Sequence, residues 1–419
     1  MKIFFPVLLV LVGLLQIAGA ADTAAMPTGA SASQKKAPPR KKAPAKRTAP
    51  KVKPAKKPKA APVRKVAGPP KKQPVKIAPV KKTPARRTTS YKAAPPVDPT
   101  DGDNVDADDL TVRRAAVDAL GTLNGAVVAV DPSNGRVLSM VNQKLALKSG
   151  FVPCSTIKLV TALAGLSEGV IEPETSVHVS RYASFNLTTA IAHSNNIYFQ
   201  RLGNQLGYDR VTQYARMLGL GEKAGLDIPG EEAGSWPAKP PAAGGVGMMT
   251  AYGEDILMTP LELAALLSSI ANGGKLFYLQ YPRTEEQAEQ IQPVLRRTLD
   301  LAPGGIEDVK AGMRGAVDFG TARRAGYTPD DPILGKTGTC TDFRMSSHMG
   351  WFGSFNEVDH HQLVIVVMLL GTKTVSGPVA SGVAGQIYRN LSEARYFVAD
   401  AQPKPVAPDM LYSSHCCSQ

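Results

Sequence analysis

Cysteine is scarce in this chain of 419 residues. There are four, irregularly spaced, too few for a disulfide framework to be the source of stability. Histidine is scarce too, and its six residues form no metal-ligand spacing, so no metal centre is expected. His193 adjoins Ser194, and His360-His361 read as a turn between strands. No internal repeat of the ~20–50-residue kind occurs, which excludes a solenoid or propeller. Beyond the N-terminal segment no apolar run reaches the ~20 residues that a bilayer requires.

The sharpest absence is of acidic residues upstream. Residues 31–97 contain no Asp or Glu but 22 Lys or Arg and 14 Pro. The chain as a whole carries +14, so the remainder carries −8 and the basic balance describes a tail and not a fold. Its Ala/Pro/Lys repeats cannot bury enough surface to offset the entropy of ordering. Residues 21–108 are therefore expected to be a disordered linker with polyproline II bias. At ~3.1 Å per residue the basic stretch would extend roughly 200 Å. Residues 1–20, MKIFFPVLLVLVGLLQIAGA, hold one lysine, an apolar run from Ile3 to Leu15, and Ala18-Gly19-Ala20. That is the shape of a secretory signal peptide, or of an uncleaved membrane anchor. Both place the bulk of the protein outside the cytoplasm, in the periplasm or cell envelope. Behind such a segment the tail's expected partner is an anionic wall polymer or a membrane surface, held by screened charge, and not nucleic acid. A plain spacer kept soluble by its charge is the alternative.

From Asp109 to about residue 400 some 300 residues remain, enough to bury a large core; residues 401–419, with Cys416-Cys417, read as a second disordered tail. The folded part opens with GAVVAVD (Gly125–Asp131), a Pro132-Ser133-Asn134-Gly135 turn and RVLSMV, which together read as a β-hairpin. Helical spacing follows Ser155 as far as Gly169, and recurs over Asn196–Gly207, Val211–Leu218 and Pro260–Ala271, the last stopped by Asn272-Gly273-Gly274. HMGWFGSF, HQLVIVVMLL and PVASGVAGQIYRNLSEAR read as strand, strand and helix. Strands at both ends with helices between predict an α/β sheet assembled from distant segments beside a helical lobe.

Three motifs carry the chemistry: Ser155-Thr156-Ile157-Lys158, Ser194-Asn195-Asn196 and Lys336-Thr337-Gly338. Read in order they are S-x-x-K, S-x-N and K-T-G. A serine hydroxyl is a weak nucleophile until a base takes its proton. S-x-x-K sets Lys158 one helical turn beyond Ser155, within reach of the hydroxyl. The amine must lose its proton part of the time, which burial or a neighbouring cation such as Lys336 promotes. A helix start at Ser155 leaves its backbone N–H facing a developing oxyanion. Ser194 is placed to relay a proton, and the Asn196 amide to hold a substrate carbonyl. Alone, Ser194-Asn195-Asn196 would more often be a helix cap. Lys336, Thr337 and Thr339 supply charge and hydroxyls for a carboxylate, the Thr339 N–H a second oxyanion donor, and Gly338 room for substrate against the backbone. Glu254 and Asp255 read as capping groups for the 260s helix, Trp236 and Trp351 as packing anchors. Of Tyr198 and Phe199, one is expected in the core and one on the groove wall.

Over about Gly125–Ala394 the chain resembles the transpeptidase domain of penicillin-binding proteins. The likeness runs past the motifs to FVPCSTIKLVTALAGL, to the Gly225–Glu231 segment GLDIPGE, to GEDILMTPLELAALLSSIANGG and to LGKTGTC with GWFGSF. The resemblance implies the β-lactamase-like transpeptidase fold: an antiparallel five-stranded sheet flanked by helices, plus an all-helical lobe. It implies D,D-transpeptidation of peptidoglycan stem peptides, β-lactam antibiotics as inhibitors, and no cofactor. Ser155 would be nucleophile, Lys158 base, Ser194 proton relay with Lys336 beside it, Asn196 substrate anchor, and Lys336, Thr337, Gly338 and Thr339 the carboxylate strand. A D,D-carboxypeptidase, or a non-catalytic β-lactam sensor or wall scaffold, would share these motifs. No motif marks the water-activating base of a β-lactamase. Three departures stand out. Ser155 and Ser194 are only 39 residues apart, as if a roofing segment were trimmed. No pedestal or glycosyltransferase domain is recognisable, so glycan polymerisation would need a partner protein. Finally, Cys154 stands where the family usually has Gly, and Cys340 follows Thr339 directly. These two are either small buried residues or a pair close enough to bond and gate activity.

Overall fold

The computed structural model of the protein describes residues 98–326, 331–358 and 362–398. The expectations for residues 1–97, for His360-His361 and for residues 401–419 lie outside the described residues. In chain order the elements begin with α1 (Leu110–Leu120), β1 (Gly125–Val130), β2 (Val137–Val141) and α2 (Gln143–Ala146). A 3₁₀ turn (Cys154–Ile157) runs into α3 (Lys158–Ser167), followed by β3 (Val177–Ser180), β4 (Ala183–Phe185) and α4 (Leu187–Ala192). Next come α5 (Asn196–Leu206), α6 (Tyr208–Met217), α7 (Gly245–Tyr252), α8 (Pro260–Ala271), β5 (Lys275–Phe277), α9 (Glu285–Glu289) and β6 (Leu295–Thr298). The last stretch holds α10 (Gly305–Asp318), β7 (Ile333–Asp342), β8 (Ser347–Asn356), β9 (Val364–Gly371) and α11 (Gly377–Glu393).

Both ends of the described chain build one sheet, in the order β2-β1-β9-β8-β7 with antiparallel neighbours throughout. Alternation along β1 splits its side chains between two cores. Val127 and Ala129 join α1 and α11 on one face, while Ala126, Val128 and Val130 join α3, α5 and α8 on the other. Cover on both faces explains why β1 (GAVVAV) and β9 (VIVVMLLG) are nearly continuous apolar runs. Among the described residues β7 is an edge strand, hydrogen-bonded to β8 on one side only.

α8 is buried at all twelve positions, and all but Glu262, Ser268 and Ser269 are apolar, as a helix enclosed on every side requires. Its start is fixed by a reciprocal cap: Glu262 N–H donates to Thr259 Oγ1 (3.0 Å) and Thr259 N–H to Glu262 Oε2 (2.6 Å), with Pro260 at the first helical position. The capping role expected of Glu254 and Asp255 is thereby corrected; both are exposed and precede the helix by several residues.

The folded unit also begins earlier than Asp109. Acidic residues of the 98–108 segment have buried cationic and amide partners, which the low hydrophobicity of the segment conceals. Asp103 accepts from Asn142 N–H (2.9 Å) and Gln143 N–H (2.7 Å) and pairs with Arg113 at 2.8 Å. Asp108 faces the same guanidinium at 3.5 Å and accepts from Ser139 Oγ (2.8 Å) and Tyr281 Oη (2.9 Å). Burial pushes the Asp108 carboxyl up to about 6 in spite of that cation. Among the described residues no helix is long and apolar enough to cross a membrane.

Candidate active site

Ser155 lies on the 3₁₀ turn that opens α3, half-buried, with its N–H ahead of the first intraturn hydrogen bond. One turn on, Lys158 is fully buried. Its Nζ lies 2.7 Å from Ser155 Oγ, 2.6 Å from Asn196 Oδ1, 2.9 Å from the Ser194 carbonyl oxygen and 3.2 Å from Ser194 Oγ. Burial, and then the charge of Lys336, hold the Lys158 amine well below its ordinary range. A neutral amine has two N–H groups and one lone pair. The Ser194 carbonyl and Asn196 Oδ1 only accept, so they take both N–H groups. The lone pair is left for the hydroxyl of Ser155.

The second motif is delivered by the end of α4. Ser194 N–H donates to Ile191 O (3.1 Å) and Asn195 N–H to Ala190 O (2.9 Å), and Ser194 itself sits in the left-handed region at φ 53°. The two asparagines divide the work. Asn195 caps α5, accepting from Tyr198 N–H at 2.9 Å, while Asn196 faces Lys158. Holding Lys158 with Oδ1 leaves the Asn196 amide N–H groups for a ligand. His193 is exposed between the rings of Phe185 and Phe319, each 5.7 Å away. Tyr198 and Phe199 are both fully buried, so neither forms a groove wall, and the Phe199 ring lies beneath Lys158 Nζ at 5.8 Å.

The third motif lies on β7. Lys336 is fully buried and donates to Ser194 Oγ (2.8 Å) and to the Thr337 carbonyl (2.9 Å); burial pulls its amine down to about 7. Thus Ser194 Oγ bridges the two lysines. Thr337 is buried, its hydroxyl 2.6 Å from that of Thr321. Thr321 N–H in turn donates to Ala192 O at 3.0 Å, tying the third motif to the end of α4. Thr321 was not legible as a site residue, because nothing in FGTARRA distinguishes it. Thr339 is exposed and accepts from Gly377 N–H at 2.7 Å, which leaves its own hydroxyl proton for a ligand.

Gly338 also serves the packing of the strand. A Cβ there would lie 3.0 Å from Pro153 O, 3.2 Å from Trp351 Cβ and 3.3 Å from Cys154 Cβ. The missing side chain lets β7 close onto the nucleophile turn. Trp351 reinforces that contact, its Nε1–H donating to Val152 O at 3.0 Å, and Trp236 is likewise a buried anchor bonded to Thr212 Oγ1. Cys154 and Cys340 are joined as a disulfide. Past Cys340 a cleft of about 450 Å³ follows the end of β7, lined by Tyr252, Glu254, Asp255, Thr341 and Arg344 among others.

The eight expected site residues therefore form one arrangement: a half-buried hydroxyl with a depressed amine, a relay hydroxyl between two lysines, and an edge strand alongside. Comparison with known proteins points the same way. Residues 125–393 match the family described as penicillin binding protein transpeptidase domain. Penicillin-binding protein H of Bacillus subtilis is 26% identical over 280 residues, 54% of this chain and 39% of that protein. Peptidoglycan D,D-transpeptidase MrdA of Haemophilus influenzae is 24% identical over 337 residues, 62% of this chain and 52% of that one. The chain thus spans about half the length of the curated relatives it matches. Pseudomonas aeruginosa PBP2, solved with WCK 5153, superposes with a TM-score of 0.60 at 26% identity, covering 71% of this chain and 78% of that one. The transpeptidase domain of Burkholderia pseudomallei penicillin-binding protein 3 shares the fold at a TM-score of 0.57, with 20% identity over 70% of this chain and 95% of that chain. With a family match over more than half of its length, the chain belongs to the penicillin-binding protein transpeptidase family.

Proposed function

We propose that the chain is an extracytoplasmic serine D,D-transpeptidase that cross-links peptidoglycan stem peptides through an acyl-enzyme on Ser155. The observation that carries this reading is the Lys158 amine, its Nζ 2.7 Å from Ser155 Oγ while the Ser194 carbonyl and Asn196 Oδ1 stand ready for its N–H groups. Ser155 Oγ attacks the penultimate D-Ala carbonyl and its proton passes to Lys158. The oxyanion forms between the N–H groups of Ser155 and Thr339. As the C–N bond breaks, Ser194 hands a proton to the departing D-Ala amine and is recharged from Lys158. An amine of a second stem then attacks the ester and Ser155 recovers its proton. The terminal carboxylate lies along β7, at the Thr339 and Thr337 hydroxyls, in the field of Lys336. Asn196 holds the donor's amide carbonyl.

Relatives that bear the name peptidoglycan D,D-transpeptidase support the acceptor assignment. The disulfide supports an oxidising compartment, as does the signal-like segment at residues 1–20. On this reading the basic tail engages an anionic polymer or membrane surface, and a partner protein polymerises the glycan.

The test is the intact mass of the full chain after benzylpenicillin, followed over hours. A stable adduct mapped to Ser155, and absent in Ser155→Ala, is the expected result. An adduct that forms and vanishes while drug is consumed would replace transfer by hydrolysis, and labelling that survives Ser155→Ala would overturn the nucleophile.

A further inference from the structure

The Cys154–Cys340 disulfide joins the nucleophile turn to the edge strand across 186 residues of sequence, with Cα atoms 5.6 Å apart. Each cysteine is the immediate neighbour of one oxyanion donor, Cys154 before Ser155 and Cys340 after Thr339. The two donors ride on different elements. Ser155 belongs to the turn that starts α3, and Thr339 to β7, which is hydrogen-bonded on its β8 side only. Their separation is therefore set by how firmly turn and strand are held together.

Non-covalent contacts hold one end of that junction. Gly338 brings β7 against Pro153 O and Cys154 Cβ, Gly253 at the end of α7 backs the same turn against Pro153, and Trp351 bonds Val152 O. Beyond Thr339 the disulfide takes over; past it the β7–β8 hairpin runs out to an exposed tip at Phe343. Backbone strain marks the same spot. Cys154 adopts φ 51°, in the left-handed region that side chains disfavour, while its sulfur is committed to the bond and the residue is 1% exposed. Strained backbone persists where the surroundings over-determine it, and the crosslink is one of the constraints on this residue.

We propose that the Cys154–Cys340 disulfide is a positioning clamp for the two oxyanion donors. Transition-state stabilisation then depends on the oxidised bond, whereas ground-state binding of the acyl donor does not. The proposal rests on Ser155 being the acyl-transfer nucleophile. Opening the clamp takes two electrons and two protons: dithiothreitol supplies them, closes to its cyclic disulfide, and leaves two thiols.

The experiment uses the full chain as purified, after reduction and desalting, and after reoxidation, together with Cys340→Ala. Peptide mass mapping records the bond in each sample. Stopped-flow labelling with a fluorescent penicillin separates the limiting acylation rate constant from the dissociation constant of the preceding complex. A boronic acid analogue, which forms a tetrahedral adduct on Ser155 Oγ, reads oxyanion geometry without turnover. Reduction should lower the acylation rate constant and the boronate affinity together, by tenfold or more, and change the dissociation constant less than twofold, as expected for an interaction made only in the transition state. Reoxidation should restore both, and Cys340→Ala should match the reduced chain. A purely structural crosslink would lower the melting temperature and leave these constants alone well below it; that result, or a loss confined to the dissociation constant, overturns the clamp. An oxidised chain that is never acylated overturns the acyl-transfer reading itself, whatever the state of the cysteines.

Discussion

Lys158 Nζ lies 2.6 Å from Asn196 Oδ1, closer than to the hydroxyl it would deprotonate. The contact orients the base. With the Ser194 carbonyl it takes both N–H groups of the neutral amine and leaves the lone pair on Ser155.

Asn196→Asp tests that assignment with almost no change of shape. A carboxylate against Lys158 stabilises its charged form and raises its pKa. The acid limb of the pH profile for acylation efficiency should move up by at least about one unit, a roughly tenfold loss at any pH on that limb. Activity should return only in part as the pH is raised, because Asp offers no N–H to the donor's amide carbonyl. Asn196→Ala should instead lose activity across the profile. Second-order labelling constants with fluorescent penicillin from about pH 5 to 10 supply the comparison. A limb that stays in place under Asn196→Asp would remove Lys158 from the role of base.

Lys336 sets function against stability. Its amine is fully buried and titrates near 7 in the fold, against 10.5 when exposed. Between those values the unfolded chain binds more protons, so the fold gains stability as pH rises from about 7 towards 10.5 and carries the full penalty below 7. Lys336→Met should therefore stabilise the protein by a few kcal/mol at pH 6. The gain should shrink toward pH 10. Acylation should fall by about 100-fold or more as Ser194 loses its cationic partner. Urea unfolding at both pH values reads the first effect. A variant less stable than the parent at pH 6 would mean that Lys336 has compensation its surroundings do not reveal.

What could be read from sequence follows the strength of local signals. Thr259-Pro260 and Asn272-Gly273-Gly274 punctuate α8 so sharply that both of its ends were legible. The β1–β2 hairpin and the β8–β9–α11 succession were equally plain. α7 and α10 were not, because GVGMMTAY and GIEDVKAGMRGAVD carry glycines that weaken a helix. Packing overrides the propensity: Gly312 accommodates Ile191, and Gly203 of α5 accommodates Thr250 of α7. Within the site, the motif residues were legible because each has a chemical job at fixed spacing. Thr321 and the packing of Gly338 on the nucleophile turn were not, since both depend on which face of β7 meets which neighbour.

The segment before α1 gives a stability prediction. Asp103 has a side chain only 1% exposed, neutralises the fully buried Arg113, and accepts the N–H groups of Asn142 and Gln143. Asp103→Ala leaves Arg113 with Asp108 at 3.5 Å as its remaining ion-pair partner. Breaking a buried pair from one side costs about 3–5 kcal/mol. The urea midpoint should fall accordingly, while the labelling rate of the folded protein, some distance away at Ser155, stays put. A midpoint unchanged within error would return residues 98–108 to the linker.

Gly338→Ala asks whether the closeness of β7 to the nucleophile turn matters to the chemistry. The new Cβ meets Pro153 O at 3.0 Å, and that carbonyl cannot swing aside freely, because Thr156 N–H (3.2 Å) and Thr156 Oγ1 (2.7 Å) both donate to it. On the other side Trp351 is fully buried. The strand must therefore shift outward by a few tenths of an ångström, carrying Thr339 N–H away from Ser155. Overpacking of this kind costs about 1–3 kcal/mol of stability, and misplacement of reacting groups on the scale of 1 Å costs roughly 100-fold in rate, so a loss of about tenfold or more in acylation is expected. Gly385→Ala on α11 is the matched control. Its Cβ would strike the Ala325 backbone on the opposite face of the sheet, so it should destabilise the fold without slowing the folded protein. If Gly338→Ala slows acylation no more than Gly385→Ala does, strand and turn are packed together for stability alone.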